Sequence, residues 1–329
     1  MQLPLRWKLA VCGLCLVSTS TLLLWDSRLR PVPVSAADIP VSVPQSVVES
    51  PGLKRAYVLY ATQEDYLCNA LINLRRLSRL DVHADLVLLY PRGWSSWKTS
   101  PEGTNRARLR HLLGEAARYN LHMRPVELIE QTMGDRTWSE SLTKLHVLGL
   151  TDYERVIYLD NDGLVLKNLD HLFDLPKAPL ILPCAYWLKE TKFASNIMVI
   201  QPSKNLWVMV SDYLKTNPPD GFDMDIINHL FFDNITVLPH RGYTLLTGEF
   251  RSKDPHHRAY LGADNLTWNP HDELAHTYYV HFSDWPLPKP WKNIQKEEWR
   301  RVQPSDREDR EVWNNVYDMY RRDRGEVCN

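Results

Sequence analysis

The sequence predicts an α/β domain, and two observations carry that prediction: short continuous apolar runs, and a helical leucine repeat between the first two of them. Continuous apolar runs suit strands buried on both faces, as in parallel sheets. AYVLYA at 56–61 is the first and DLVLLYP at 85–91 the second. Between them Leu67, Leu71, Leu74 and Leu77 recur at helical spacing, behind Thr62 and Asp65, which resemble a capping arrangement. Strand, helix and strand in that order make a right-handed parallel crossover. A helix over SLTKLHVLGL (141–150) and a third strand, RVIYLD (155–160), follow. From Ser305 the chain is charged, with Val312, Val316 and Met319 at helical spacing, an amphipathic helix packed on the domain or on a partner.

Composition bounds the function. The 329 residues are 44% hydrophobic and 24% charged, which excludes a disordered chain. Lys and Arg number 39 against 40 Asp and Glu, so there is no basic field to hold nucleic acid. Cys12 and Cys15 have CxxC spacing but lack a second pair and lie in an apolar run, which argues against zinc. Among Cys68, Cys184 and Cys328 at most one bridge can form. No GxGxxG follows the first strand and no GxxxxGK[ST] occurs, so any phosphate is held in another way.

The N-terminus sets the compartment. Residues 9–25 carry no charge, follow Arg6 and Lys8, and are bracketed by Trp7 and Trp25, as expected of a short signal-anchor helix. A cleaved signal peptide is the competitor, but the small residues Ser35, Ala36 and Ala37 lie about ten residues past the apolar run, far for a cleavage site. The expected organisation is a cytoplasmic tail (1–8), the anchor (9–25), a Pro- and Ser-rich stem (26–54), a catalytic domain (55–300) and the charged C-terminal helix (301–329). A single-pass type II protein with its domain in the lumen follows. The sequons at Asn234 and Asn265 agree with that topology.

Parallel sheets bind ligands beyond the carboxyl ends of their strands. After the third strand come Asp160, Asn161 and Asp162. In extended backbone the two carboxylates point the same way and suit Mg²⁺ or Mn²⁺. Asp, Asn and Gly are also turn residues, so DNDG alone reads first as a sharp turn; its place at a strand end favours a ligand site. In YYVHFSDWPLPKPW a strand ends at His281, and Lys289 follows eight residues later. The imidazole can join two carboxylates on a metal, and the ammonium can meet phosphate. By default the same two residues are a core histidine and a solvated lysine.

Taken together, TKLHVLGL (143–150), RVIYLDNDGLVLKNLDHLFDLP (155–176), IQPS (200–203), FDMDIIN (222–228) and HFSDWPLPKPW (281–291) resemble glycosyltransferase family 8, the glycogenin-like family. Within it, LPHRGYTLLTGEFR (238–251) followed by the last motif is similar to the fungal Golgi branch, the glucose N-acetyltransferase type. The resemblance spans residues 56 to 295. It implies a GT-A fold of Rossmann-like, mostly parallel sheet, a UDP-sugar donor, a glycan acceptor, a divalent metal (Mn²⁺ or Mg²⁺) and retention of anomeric configuration. Carried over by position, Asp160, Asp162 and His281 are the metal ligands, Lys289 contacts the diphosphate and Lys144 the donor, and Tyr66 with Thr62 flanks the uracil.

The departures fall where the sugar would lie. The family's D-Q-x-x-x-N reads Asp223-Met224-Asp225-Ile226-Ile227-Asn228, so the Gln is missing and Asp223 or Asp225 is left to replace it. The N-S-G turn reads Ala194-Ser195-Asn196, and Asp284 replaces a Gly between His281 and Lys289. Retention is open between a carboxylate nucleophile, Asp223 or Asp225, and front-face attack. The loss of Gln and Asn makes room for an N-acetyl group, and N-acetylglucosamine moving to a mannose-terminated glycan is the expected reaction. UDP-glucose or UDP-galactose transfer, nucleotide-sugar hydrolysis and a silent sugar-binding protein are the alternatives.

Overall fold

The computed structural model describes residues 54–94, 107–119, 121–130, 140–216 and 221–328. The tail, the anchor and the stem up to residue 53 lie outside the described residues. Among the described residues no helix is long and apolar enough to cross a membrane.

The apolar runs form β1 (Arg55–Tyr60), β2 (Asp85–Pro91) and, after β3 (His122–Val126), β4 (Arg155–Leu159). β1 pairs in parallel with both β2 and β4, and β2 with β3. The remaining strands are β5 (Gly163–Val165), β6 (Leu180–Pro183), β7 (Ile197–Ile200), β8 (Ile235–Leu238), β9 (Leu245–Leu246) and β10 (Tyr279–His281). Among the described residues seven strands make one sheet in the order β3-β2-β1-β4-β7-β6-β8, with β7 antiparallel to both neighbours. A second sheet has the order β5-β10-β9. The helices are α1 (Glu64–Arg79), α2 (Ala107–Ala116), α3 (Lys204–Thr216), α4 (Asp223–Phe231), α5 (Arg258–Leu261), α6 (Pro270–His276), α7 (Lys296–Val302) and α8 (Arg307–Cys328).

Alternate residues of β1 enter opposite layers, as a pleated strand requires. Tyr57 and Leu59 pack in the core that holds α1 and α8, whereas Ala56 and Val58 pack with Leu142, Leu145 and Leu148. The helix expected over SLTKLHVLGL is present as a 3-10 helix (Ser141–Gly149), and those three leucines explain its type. Their spacing of three matches three residues per turn, so one buried edge takes all of them. The cap expected at Thr62 is also absent: α1 begins after Gln63, without a side-chain cap, and Asp65 instead accepts from Arg108, Lys292 and Arg324. Burial pushes the Asp65 carboxyl up, but the three cations outweigh it and hold it below the ordinary range.

The charged C-terminal segment is one 22-residue helix, α8. Val312 and Val316 are buried, Met319 is half-buried, and Trp313, Tyr317 and Tyr320 join them in the core. A Cys68–Cys328 disulfide ties α8 to α1 across 260 residues of sequence. Closing so long a loop removes conformational freedom from the unfolded chain and stabilises the fold by about 2–4 kcal/mol.

Candidate active site

The site is assembled where β1 and β4 end. Gly163 follows Asp162 directly, and a side chain there would strike the Tyr279 hydroxyl and the Val280 carbonyl. Only glycine lets β5 lie this close to β10. On α1, Asn73 fixes β5 from the other side, donating to the Gly163 carbonyl and accepting from the Val165 N–H, both at 2.9 Å. Tyr279 then donates to the Asp160 carbonyl at 2.8 Å, and the Phe282 N–H to the Asp162 carbonyl at 2.8 Å. The acidic turn and the end of β10 are thereby held side by side.

This register brings His281 Nε2 to 2.9 Å from Asp162 Oδ1 and Lys289 Nζ to 2.8 Å from Asp162 Oδ2. Lys289 also donates to the Phe282 carbonyl at 2.5 Å. Asp160, Asp162 and His281 each offer a ligand atom within 4.8 Å of the others. Two carboxylates and an imidazole are a donor set that fits Mn²⁺ or Mg²⁺. Burial pushes the Asp162 carboxyl up, yet His281 and Lys289 together hold it well below the ordinary range. Asp160 moves the other way, because burial outweighs the pull of Lys144 and the Asp162 and Asp223 charges add to the burial.

Lys144, from the 3-10 helix, is buried with its ammonium 2.6 Å from Asp160 and 2.8 Å from Asp223. Burial opposes its charge, but the two carboxylates prevail and raise its pKa. One cation thus ties the end of β4 to the first residue of α4. Ser195 donates to the same Asp223 oxygen at 2.5 Å, and Asn196 donates to Thr244 at 2.5 Å.

These residues line one cavity of about 420 Å³ together with Tyr60, Tyr66, Trp187, Met224 and Ser283. Of the residues singled out from sequence, Asp160, Asp162, His281, Lys289, Lys144, Tyr66 and Asp223 meet there. Two do not. Thr62 is half-buried at the end of β1 and off the cavity wall. Asp225 points away from the cavity: it accepts from the Phe222 N–H at 3.1 Å and pairs with Lys192 at 3.0 Å. Its neighbour on the same helix, Asn228, exchanges two 2.8 Å bonds with the backbone of Phe193. Both residues therefore brace the segment after β6. Trp187 and Ser283 were not legible as site residues, since nothing in their sequence context separates them from ordinary loop positions.

A mostly parallel sheet with an acidic turn at the carboxyl end of a central strand, facing a histidine and a lysine across one cavity, is a GT-A-like glycosyltransferase fold. Among solved structures, the glycosyltransferase GlyE of Streptococcus pneumoniae TIGR4 matches with a TM-score of 0.50 at 17% identity, covering 84% of this chain and 65% of that one. The bifunctional glycosyltransferase WbbM matches with a TM-score of 0.51 at 15% identity, over 82% of this chain and 52% of that one. No family model matches the chain. Glucose N-acetyltransferase 1 of Aspergillus fumigatus is 36% identical over 331 residues, covering 93% of this chain and 84% of the relative. Glucose N-acetyltransferase 1 of Gibberella zeae is 37% identical over 284 residues, 83% of this chain, which spans only 62% of that relative's length. The chain belongs to the glucose N-acetyltransferase 1 family.

Proposed function

We propose that this protein is a metal-dependent, retaining glycosyltransferase that moves N-acetylglucosamine from UDP-N-acetylglucosamine to a mannose-terminated glycan. The convergence of Asp160, Asp162, His281 and Lys289 in one cavity carries this reading, and the names of the relatives support it. Asp160, Asp162 and His281 would hold a Mn²⁺ or Mg²⁺ ion, which when bound neutralises charge on the departing diphosphate. Lys289 adds a cation at the same end, and Tyr66 offers an aromatic surface to the uracil. Asp223 already shares one oxygen with Lys144 and Ser195, which blunts it as a nucleophile. We therefore assign it the stabilisation of positive charge at the anomeric carbon, with retention by front-face attack.

The donor sugar is tested with UDP-N-acetylglucosamine, UDP-glucose and UDP-galactose at equal concentration, each with Mn²⁺ and a mannose-terminated glycan. N-acetylglucosamine is expected to transfer fastest, because Ala194 and Met224, which stand where the family carries Asn and Gln, both line the cavity. Faster glucose transfer overturns that choice.

We propose a Golgi membrane protein of type II topology, anchored by residues 9–25, with the domain in the lumen. Asn234 and Asn265 are both exposed, as glycan acceptors must be. In intact microsomes the domain is expected to resist protease until detergent is added. Digestion without detergent rules the topology out.

A further inference from the structure

Trp187 stands in the wall of the catalytic cavity and keeps 38% of its surface exposed. It lies on a tight reversal between Cys184 and Phe193, which pair across it; the Ala185 N–H donates to the Lys192 carbonyl at 2.8 Å, and the Leu188 N–H to the Ala185 carbonyl at 3.0 Å. The reversal is held from outside by the Lys192–Asp225 pair and the Asn228–Phe193 bonds, so its base is rigid. The indole itself is braced by Tyr186, whose ring meets it edge-on at 5.2 Å and stacks on His240 at 4.9 Å. The Leu246 N–H donates to the Tyr186 hydroxyl at 3.3 Å. A large apolar ring fixed in place yet left open to water is an unmet contact.

The contacts also order the cavity from end to end. At one end Lys289 grips Asp162, and Tyr66 packs on Trp291, in the segment that carries Lys289, with ring centres 5.3 Å apart. From there the chain of contacts runs through Asp160 and Lys144 to Asp223 and Ser195. Trp187 is carried by the segment that returns into Ala194 and Ser195, which joins that chain of contacts at Asp223. A sugar-nucleotide reaching from Tyr66 toward Asp223 leaves Trp187 free for the second substrate.

We infer that Trp187 is the platform for the acceptor, the indole covering the apolar C–H face of the terminal pyranose while a hydroxyl of that sugar meets the donor's anomeric carbon beside Asp223. The inference rests on the transferase reading above and assigns the acceptor side of that site. It is tested with Trp187→Ala and Trp187→Phe, using a mannose-terminated glycan, UDP-N-acetylglucosamine and Mn²⁺. Trp187→Ala is expected to lower kcat/KM for the glycan roughly tenfold, chiefly through KM, and Trp187→Phe to restore most of it. The Kd for UDP, measured by calorimetry, is expected to be the same in all three proteins. An unchanged glycan KM in Trp187→Ala, or a UDP Kd that rises in step with it, overturns the assignment. Absence of metal-stimulated UDP release in the parent protein, with and without glycan, sinks the transferase reading instead.

Discussion

Asp162→Asn is expected to abolish metal-stimulated transfer without unfolding the domain. The substitution keeps the side chain's shape and one oxygen for Lys289, and removes the charge that His281 and Lys289 now compensate at 2.9 and 2.8 Å. With it goes the carboxylate that, with Asp160, would hold a divalent ion. Loss of that stabilisation raises the barrier by about 3–4 kcal/mol, roughly a hundredfold to a thousandfold in kcat/KM. Asp160→Asn and His281→Ala share the expectation, since each removes one donor of the same set. The measurement is turnover at saturating Mn²⁺, with a chelator-treated parent protein as the reference and thermal unfolding as the control for fold. Near-normal turnover in Asp162→Asn would remove the metal from the mechanism.

Asp284→Ala is expected to destabilise the fold by about 3–5 kcal/mol, the range for stripping one partner from a buried ion pair. Asp284 is almost wholly buried, and four donors converge on its carboxylate: Trp313 at 3.1 Å, Tyr317 at 2.8 Å, Arg251 at 3.2 Å and the Thr247 hydroxyl. Removing it leaves Arg251 and three polar groups facing a cavity. Urea denaturation measures the change, and a loss below about 1 kcal/mol would show that the network is replaceable. Transfer should fall as well, because the Ser283 N–H beside it donates to Thr247 at 2.9 Å and Ser283 lines the active-site cavity. The carboxylate that departs from the family's Gly is thus the knot joining the site loop to α8.

The central strands were legible because burial on both faces leaves an unbroken apolar run, as in AYVLYA and RVIYLD. β3 left no such mark: HMRPV is a half-buried edge strand. β5 and β9 are two or three residues long, too short for any period to register, whereas β10, equally short, was marked by the Tyr and Val run that ends at His281. Among the site residues, Asp160 and Asp162 were readable from their place at a strand end. His281 and Lys289 became readable only through the ordered run of motifs, since a lone histidine beside aromatics has no distinctive local pattern. Asp223 and Asp225 could not be told apart in sequence. They are two positions apart on α4, so when one faces Lys144 the helix turns the other toward Lys192. The pairing of Cys68 with Cys328 depends on how α8 folds back on α1, which no spacing encodes.

That return of α8 onto α1 governs when the molecule can finish folding. Cys68 leaves the ribosome about 260 residues ahead of its partner, an interval of roughly 13 to 50 s at ordinary rates of elongation. Throughout that time the leucine-rich face of α1 and an unpaired thiol await a cover not yet made. The Cys68–Cys328 bond is sealed only after translation has passed α8. A chain interrupted ahead of Trp313 would leave Asp284 without two of its donors and Cys68 without its mate. A chain cut short of α8 would expose the Cys68 thiol and the apolar surface that Trp313, Tyr317 and Tyr320 pack against.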